Sequence, residues 1–130
     1  MFEQITHDIA VRADPVFHES ESNPARSHFV WAYTIEIENR GAIPVQLMSR
    51  HWRITDANGV TQDVRGAGVV GKQPIIPPGE MYRYTSVCPL STPSGWMSGA
   101  YDMVDTDTSA AFAIAIPAFS LDSPHAARPN

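Results

Sequence analysis

Apolar and polar residues alternate along most of this chain with a period of two residues. The pattern is clearest between residues 28 and 38, where large apolar side chains occupy every second position: Phe29, Trp31, Tyr33, Ile35 and Ile37. Such alternation places successive side chains on opposite faces of an extended strand. Val30 and Ala32 lie between these residues, so the opposite face is expected to be partly covered. The segment therefore predicts a long strand with one face in the core.

Other runs rich in β-branched and aromatic residues predict further short strands. They occupy residues 5–11, 48–54, 60–64, 81–87, 99–104 and 112–116. Turn signals such as Asn58-Gly59 and Pro77-Pro78-Gly79 separate the runs, because these residues accept the backbone angles of tight turns. Helical periodicity is nearly absent. About seven short strands at this spacing predict an all-β fold, an antiparallel β-sandwich.

The length and composition indicate a single globular domain. The chain has 130 residues, of which 43% are hydrophobic and 18% charged, enough for one core. We assign residues 1–121 to the sandwich domain. Residues 122–130 contain two prolines and a histidine and are predicted to form a flexible C-terminal tail.

The charge balance argues against two classes of partner. The net charge is −5, and the nine basic residues are scattered along the chain. The sequence therefore lacks the basic stripe of a nucleic-acid-binding protein and the polybasic patch of a membrane-binding one. No apolar run is long enough for a signal peptide or a membrane span. The lone Cys88 excludes an internal disulfide, and the predicted location is the cytoplasm.

The segment from Gly66 to Gly71 has the G-x-G-x-x-G spacing of a phosphate-binding loop. A dinucleotide-binding fingerprint needs a helix directly after the glycines, but residues 73–79 contain three prolines, which cannot open a helix. The glycines can still form an anion-binding nest of backbone amides. Alternatively, they permit positive φ and close backbone approach where the chain crosses between sheets. The candidate phosphate-binding residues are Gly66, Gly68, Gly71 and Lys72.

Four consecutive residues of the strand predicted at 48–54 carry a second candidate site: Arg50, His51, Trp52 and Arg53. Alternation places the first and third on one face, where Arg50 interrupts the apolar row of Met48, Trp52 and Ile54, and the second and fourth on the other. In one interpretation the basic side chains recognise a carboxylate or phosphate of a partner. In the other, Arg50 pairs across the sheet with an acid such as Glu36 or Glu38.

The segment 92–97 is the third candidate, because Trp96 and Met97 follow a glycine there. An aromatic residue beside a methionine on a shaped loop is typical of a contact site for a protein partner. Alternatively, the loop covers one end of the core and both side chains are buried. The candidate partner-binding residues are Arg50, His51, Arg53, Trp96 and Met97.

Catalytic and metal-binding patterns are missing from the sequence. No pair of histidines has the spacing that places two metal ligands on one face of a helix or strand. No serine lies in a G-x-S-x-G motif, and Cys88 is interpreted as an inert small hydrophobic residue. We therefore predict no catalytic residue, no metal site and no cofactor.

Several ordered blocks of the sequence resemble the ApaG domain, a bacterial protein family. The signature-like block is Gln46 to Asp56, and the further blocks are Gly66–Pro74, Ile76–Gly79 with Tyr84–Ser86, Leu90–Met103, and Phe112 with Ile116–Leu121. The resemblance covers about Ile5 to Leu121. It implies a fibronectin type III-like β-sandwich of the immunoglobulin-like kind, in agreement with the alternation.

The resemblance also implies an adaptor role without catalytic residues. The family is associated by name with cobalt and magnesium efflux. We therefore predict a non-catalytic module that binds an unidentified protein partner, with a homodimer through exposed sheet edges as a further prediction. The alternative is a binder of a small phosphorylated or nucleotide ligand through Gly66–Gly71.

Overall fold

The structure, a computed structural model, describes residues 1–126 and is built almost entirely of strands. The strands are β1 (Phe2–Thr6), β2 (Ile9–Phe17), β3 (Phe29–Asn39), β4 (Val45–Asp56), β5 (Thr61–Ala67), β6 (Ile75–Ile76), β7 (Met81–Leu90), β8 (Gly95–Asp105) and β9 (Ala111–Leu121). Two short 3-10 helices, Glu19–Glu21 and Pro24–Arg26, connect β2 to β3. No helix in the described residues is long and apolar enough to cross a membrane.

The strands form two antiparallel sheets packed face to face. The first sheet has the order β1-β2-β3-β7, and the second has the order β5-β4-β8-β9 with β6 paired to β4. The predicted antiparallel β-sandwich is confirmed. The side chains between the sheets form one apolar core, as the alternation predicts for two sheets that each bury one face.

Strand β3 has the predicted orientation. All of its alternating large apolar residues are buried, and the Trp31 side chain is only 1% exposed. The indole Nε1 of Trp31 donates a hydrogen bond to the carbonyl oxygen of Asp122 at 2.8 Å, so its polar atom is satisfied as burial requires. Val30 is also buried on the opposite face, as expected.

The number of strands is nine in the described residues rather than about seven. The strand predicted over 5–11 is in fact a hairpin, because His7 and Asp8 form a tight turn with φ of 50° and 62°. Turns of this kind usually contain glycine. This turn has none, so the sequence gave no signal for it. Strand β6, with two residues, is too short to show alternation.

Two irregularities in pairing reverse which residues face the core. The register between β4 and β8 shifts between Leu47 and Ser49. Met48 is the extra residue, so Leu47 is buried before the shift and Trp52 after it, while Met48 is half-buried. This corrects the predicted placement of Met48 in the core row. A similar shift in β9 changes the buried row from Ile116 to Phe119, because a bulge displaces alternation by one residue.

The two sides of the sandwich differ. On one side β9 packs against β1 and β2, and the Ala115 amide donates to Thr6 Oγ1 at 3.3 Å. On the other side β5 and β7 are the edge strands of their sheets and do not pair with each other. This open side lies next to all of the candidate residues on β4 and β5.

The beginning of the predicted tail contacts the sandwich. Besides the bond to Trp31, the His125 ring lies 5.7 Å from the Phe17 ring between centroids. The Nε2 atom of His125 lies 3.1 Å from Glu19 Oε1. The remaining residues assigned to the tail, 127–130, lie outside the described residues.

Candidate functional site

The glycine-rich segment forms the end of a strand and a tight turn. Gly66 belongs to β5, whereas Val69 and Lys72 face each other across a two-residue turn. The central residues of this turn, Val70 and Gly71, have φ of 48° and 75°, as in a type I′ turn. Residues 72–80, directly after the glycines, form a turn, β6 and loops but no helix, so the segment is not a dinucleotide-binding fingerprint.

Three amides of this segment already have backbone acceptors. The Gly68 amide donates to the Met48 carbonyl at 2.9 Å. The amides of Val69 and Lys72 donate to each other's carbonyl oxygens at 2.8 and 3.0 Å. A nest binds an anion through successive amides that point at it, and in this conformation these three do not.

Close approach explains two of the glycines. A Cβ atom at Gly66 would lie 2.7 Å from Arg50 Nη1, and one at Gly68 would collide with the Lys72 carbonyl oxygen. Gly71 has open space around it, so only its positive φ favours glycine. The alternative interpretation of the motif, as a backbone requirement where the chain leaves the second sheet, accounts for these contacts.

Arg50 points between the sheets, toward the open side. Its Nη1 atom donates to the carbonyl oxygens of Ala67 at 3.1 Å and Gly68 at 2.9 Å. The expected ion pair with Glu36 or Glu38 is wrong. Both glutamates lie in the first sheet, where they pair instead with Arg12 at 3.2 and 3.0 Å.

His51 and Arg53 lie on the outer face of the second sheet, as alternation predicted. Asp63 of β5 sits between them, with Oδ1 at 2.8 Å from His51 Nε2 and 3.7 Å from Arg53 Nε. The hydrogen bond from His51 lowers the pKa of Asp63, and the charge of Arg53 lowers it further. The carboxylate is thus ionised near neutral pH and offsets part of the positive charge of this face.

Strand β8 begins at Gly95, so Trp96 and Met97 belong to it. As consecutive residues of a strand, they lie on opposite faces. Trp96 is 46% exposed on the outer face of the second sheet, whereas Met97 is 1% exposed in the core. The prediction that Met97 contacts a partner is therefore corrected, because almost none of its side chain is accessible. Of the predicted contact residues, His51, Arg53 and Trp96 share the outer face, and Arg50 points into the sandwich.

A groove runs along the open side between β5 and β7. Tyr33, Arg50 and Trp52 line a cavity of about 290 Å³. A second cavity of about 460 Å³ continues it toward the turn between β4 and β5, and the two share the edge residues Gln62 and Pro89. The groove combines apolar walls with a few polar groups, as binding sites commonly do.

Cys88, His51 and Asp102, which could serve catalysis if they converged, do not assemble into a catalytic set. Cys88 is buried, which raises the pKa of its thiol to about 11, so the reactive thiolate is scarce at neutral pH. The side chain of His51 bonds to Asp63, and Asp102 accepts a hydrogen bond from Ser49 Oγ at 2.7 Å. In residues 1–126, no three His, Cys, Asp or Glu side chains cluster as metal ligands would.

Comparison with known proteins assigns the family. A family model described as the ApaG domain matches residues 19–105. The chain belongs to the ApaG domain family. Protein ApaG of Paramagnetospirillum magneticum is 57% identical over 96% of this chain and 95% of its own length. Protein ApaG of Rhodospirillum centenum is 53% identical over the full length of both.

A solved structure agrees with this assignment. The crystal structure of a Bordetella pertussis protein designated ApaA has a TM-score of 0.86 to this chain at 44% identity. It covers 91% of this chain and 95% of that one. The sandwich described above is therefore similar to the experimentally determined structure of that protein.

The sequence did not indicate the groove of this ApaG domain. Gln62, Val64 and Ser86 line it, but their sequence context is that of ordinary strand residues. The available signals were the interruption of an apolar row by Arg50 and the polar residues around it. Neither shows that β5 and β7 are edge strands on the same side, which depends on the order of strands in both sheets.

Proposed function

We propose that this ApaG domain is a non-catalytic module that binds another protein through the open side of its sandwich. The observation that carries the proposal is that β5 and β7 are edge strands, each with one side that pairs with no other strand, and that a groove lies between them. An exposed sheet edge binds an extended segment of a partner by adding it as a further strand. Backbone hydrogen bonds then supply affinity, and the groove supplies selectivity.

The hydrogen bonding at both ends of the β4–β5 hairpin identifies the free backbone groups. The Asp56 amide donates to the Val60 carbonyl oxygen at 3.0 Å, and the Gly68 amide donates to the Met48 carbonyl oxygen at 2.9 Å. Bonded and non-bonded pairs alternate along an antiparallel ladder, so the backbone groups of Asp63 and Arg65 point away from β4. These groups form the acceptor edge that a partner strand needs.

The edge of β7 is less suited to this role. The pairing of the Asn39 and Glu80 backbones at 3.0 Å sets its ladder. The same alternation directs the backbone of Pro89 outward, and proline has no amide to donate. Strand β5 contains no proline, and nearly all of its residues are exposed. We therefore assign the acceptor role to β5.

The outer face of the second sheet supports the same function. His51, Arg53 and Trp96 lie on it, and tryptophan and arginine are among the residues that dominate protein interfaces. A partner strand bound to β5 would extend this sheet and its outer face. The domain would then contribute to the cobalt and magnesium efflux with which the family is associated by binding a protein partner in the cytoplasm.

A proline substitution on the edge tests the proposal. Arg65→Pro removes an outward amide without removing a ladder bond to β4, and Arg65→Ala removes the same side chain but keeps the amide. Each purified variant is used to recover partners from a lysate of the source cells, with folding checked by circular dichroism. We expect Arg65→Ala to recover a stoichiometric partner and Arg65→Pro to lose it. Equal recovery by both folded variants would refute binding through β5.

A further inference from the structure

The charge of Arg50 has no counter-ion in the described part of the chain. The ion pairs of residues 1–126 involve Arg12, Arg40, Arg53, His51 and His125 but not Arg50. Arg50 is half-buried, and within residues 1–126 the only hydrogen bonds of its side chain are the two from Nη1 to backbone carbonyls. A guanidinium has five N–H donors, so the donors on Nε and Nη2 have no partner in the described residues, and Arg50 lines the groove.

The surroundings of Arg50 favour the binding of an anion. Its neighbours in the cavity include Tyr33, Trp52, Val64 and Ser86. A tyrosine hydroxyl is protonated at neutral pH, and burial raises the pKa of Tyr33 further. No negative group among these neighbours offsets the arginine. A charge removed from water without a partner is destabilising, whereas a carboxylate there would gain charge-assisted hydrogen bonds.

We propose that Arg50 binds the carboxylate of an acidic side chain carried by an extended peptide segment that pairs with β5. The proposal rests on the proposed function and names the chemistry of its partner. Geometry supports it, because Gly66 and Arg50 are opposite each other in the ladder. In a strand added to β5, alternate side chains face the groove, and one of them lies beside Gly66.

The charge of the site favours a carboxylate over a phosphate group. Arg50 is the only cationic side chain among the residues that line this cavity in the described structure. One guanidinium matches one carboxylate in charge and in its two-pronged geometry. A phosphate dianion would leave a charge unmatched beside the apolar side chains of Trp52 and Val64.

The peptide nature of the ligand follows from the groove around Arg50. The cavity continues along the edges past Gln62 and Pro89 into the second one, which gives an extended chain room on both sides of the acidic residue. The outward backbone groups of β5 face the same space. A small anion would use Arg50 but none of these features.

A peptide selection with two matched variants tests the proposal. Val64 faces the groove two residues from Gly66, so Val64→Glu supplies an internal carboxylate to Arg50 while Val64→Gln has the same size without the charge. Random heptapeptides displayed on phage are selected against the wild-type domain. A selected peptide and its copy with the acidic residue changed to the matching amide are then titrated, with acetate and inorganic phosphate as small anions.

We expect selected peptides to share one acidic position, and the amide copy to bind at least about tenfold more weakly, as for loss of a charged hydrogen bond. Val64→Glu should weaken binding by a similar factor and Val64→Gln much less. Arg50→Lys should lose most of the acidic preference. NMR shifts should localise to Gln62–Arg65 and Ser86–Cys88, and acetate and phosphate should bind far more weakly than the peptide.

Three results would overturn the proposal. They are the absence of an acidic preference, equal binding to the two Val64 variants, and saturation of the site by acetate or phosphate as tightly as by the peptide. If these occur while Arg65→Pro still abolishes recovery of a protein partner, the carboxylate site fails and the proposed function stands. If neither peptide nor protein depends on β5, both fail.

Discussion

The glycine-rich segment gives the sharpest test of the structure, through two substitutions three residues apart. Gly68→Ala and Gly71→Ala both add one methyl group at a positive φ, of 62° and 75°. They differ in their surroundings. The new methyl group at Gly68 collides with the Lys72 carbonyl oxygen, whereas at Gly71 no heavy atom lies within 4 Å.

The expected losses of stability follow from these surroundings. A left-handed backbone conformation costs a non-glycine residue about 1–2 kcal/mol. Forcing extra volume into a packed site adds about 1–3 kcal/mol. Gly71→Ala should therefore lower the free energy of unfolding by about 1–2 kcal/mol. Gly68→Ala carries both effects and should lower it by roughly 2–5 kcal/mol.

Equilibrium unfolding in urea, followed by far-UV circular dichroism, measures both losses on the same scale. The denaturant dependence of each variant should match that of the wild type, so that the midpoints can be compared as stabilities. Equal losses at the two positions, or a larger loss at Gly71, would refute the assignment of Gly68 to close backbone contact.

The same assay addresses phosphate binding by the segment. A ligand at one hundred times its dissociation constant raises stability by about 2.7 kcal/mol. Because the Gly68, Val69 and Lys72 amides are already bonded to carbonyls, pyrophosphate should leave the unfolding midpoint of the wild type unchanged. A saturable rise that Gly71→Ala or Lys72→Ala removes would restore the phosphate-binding alternative.

Three further predictions concern the core. Trp31→Ala should lower the free energy of unfolding by about 3–5 kcal/mol, and a change below about 1 kcal/mol in urea titration would mean that this strand face is not buried. The hydroxyls of Tyr84 and Tyr101 hydrogen-bond in the core, so Tyr84→Phe should cost about 1–3 kcal/mol while replacing both tyrosines costs little more; strictly additive losses would contradict this. Burial raises the pKa of Cys88 to about 11, so its contribution to stability is present below the unfolded pKa near 8.5 and is lost as the pH rises toward 11. The fall in unfolding free energy over this range should be shallower in Cys88→Ala, and identical slopes would disprove it.

The inward-facing residues of β3 could be predicted directly from the alternation. Phe29, Trp31 and Ile35 are buried as predicted, because a regular strand between two neighbours has no means of changing face. The orientation of His51 and Arg53 followed from the same rule. The turn at Asn58-Gly59 and the helix-breaking prolines after Gly71 were also readable, since these backbone restrictions belong to the residues themselves.

The candidate site depended on features that the sequence could not specify. The register shift at Met48 decides which residues before Arg50 face the core. It arises from pairing with β8, which lies far away in the chain. The position of Met97 depended on the start of β8, and the hairpin at His7 on two non-glycine residues held at positive φ.

The alternation of apolar and polar residues, together with the backbone preferences of glycine and proline, determined most of the strands, several of the turns and the sandwich class of this ApaG domain. The tertiary structure alone decided the strand order, the bulges and the open side that brings β5 and β7 together. It also placed Glu36 and Glu38 in the other sheet, where they pair with Arg12, so that Arg50 has no counter-ion in the described chain. The physical reason is that these arrangements depend on pairing and packing between segments distant in sequence, which no local pattern of residues specifies.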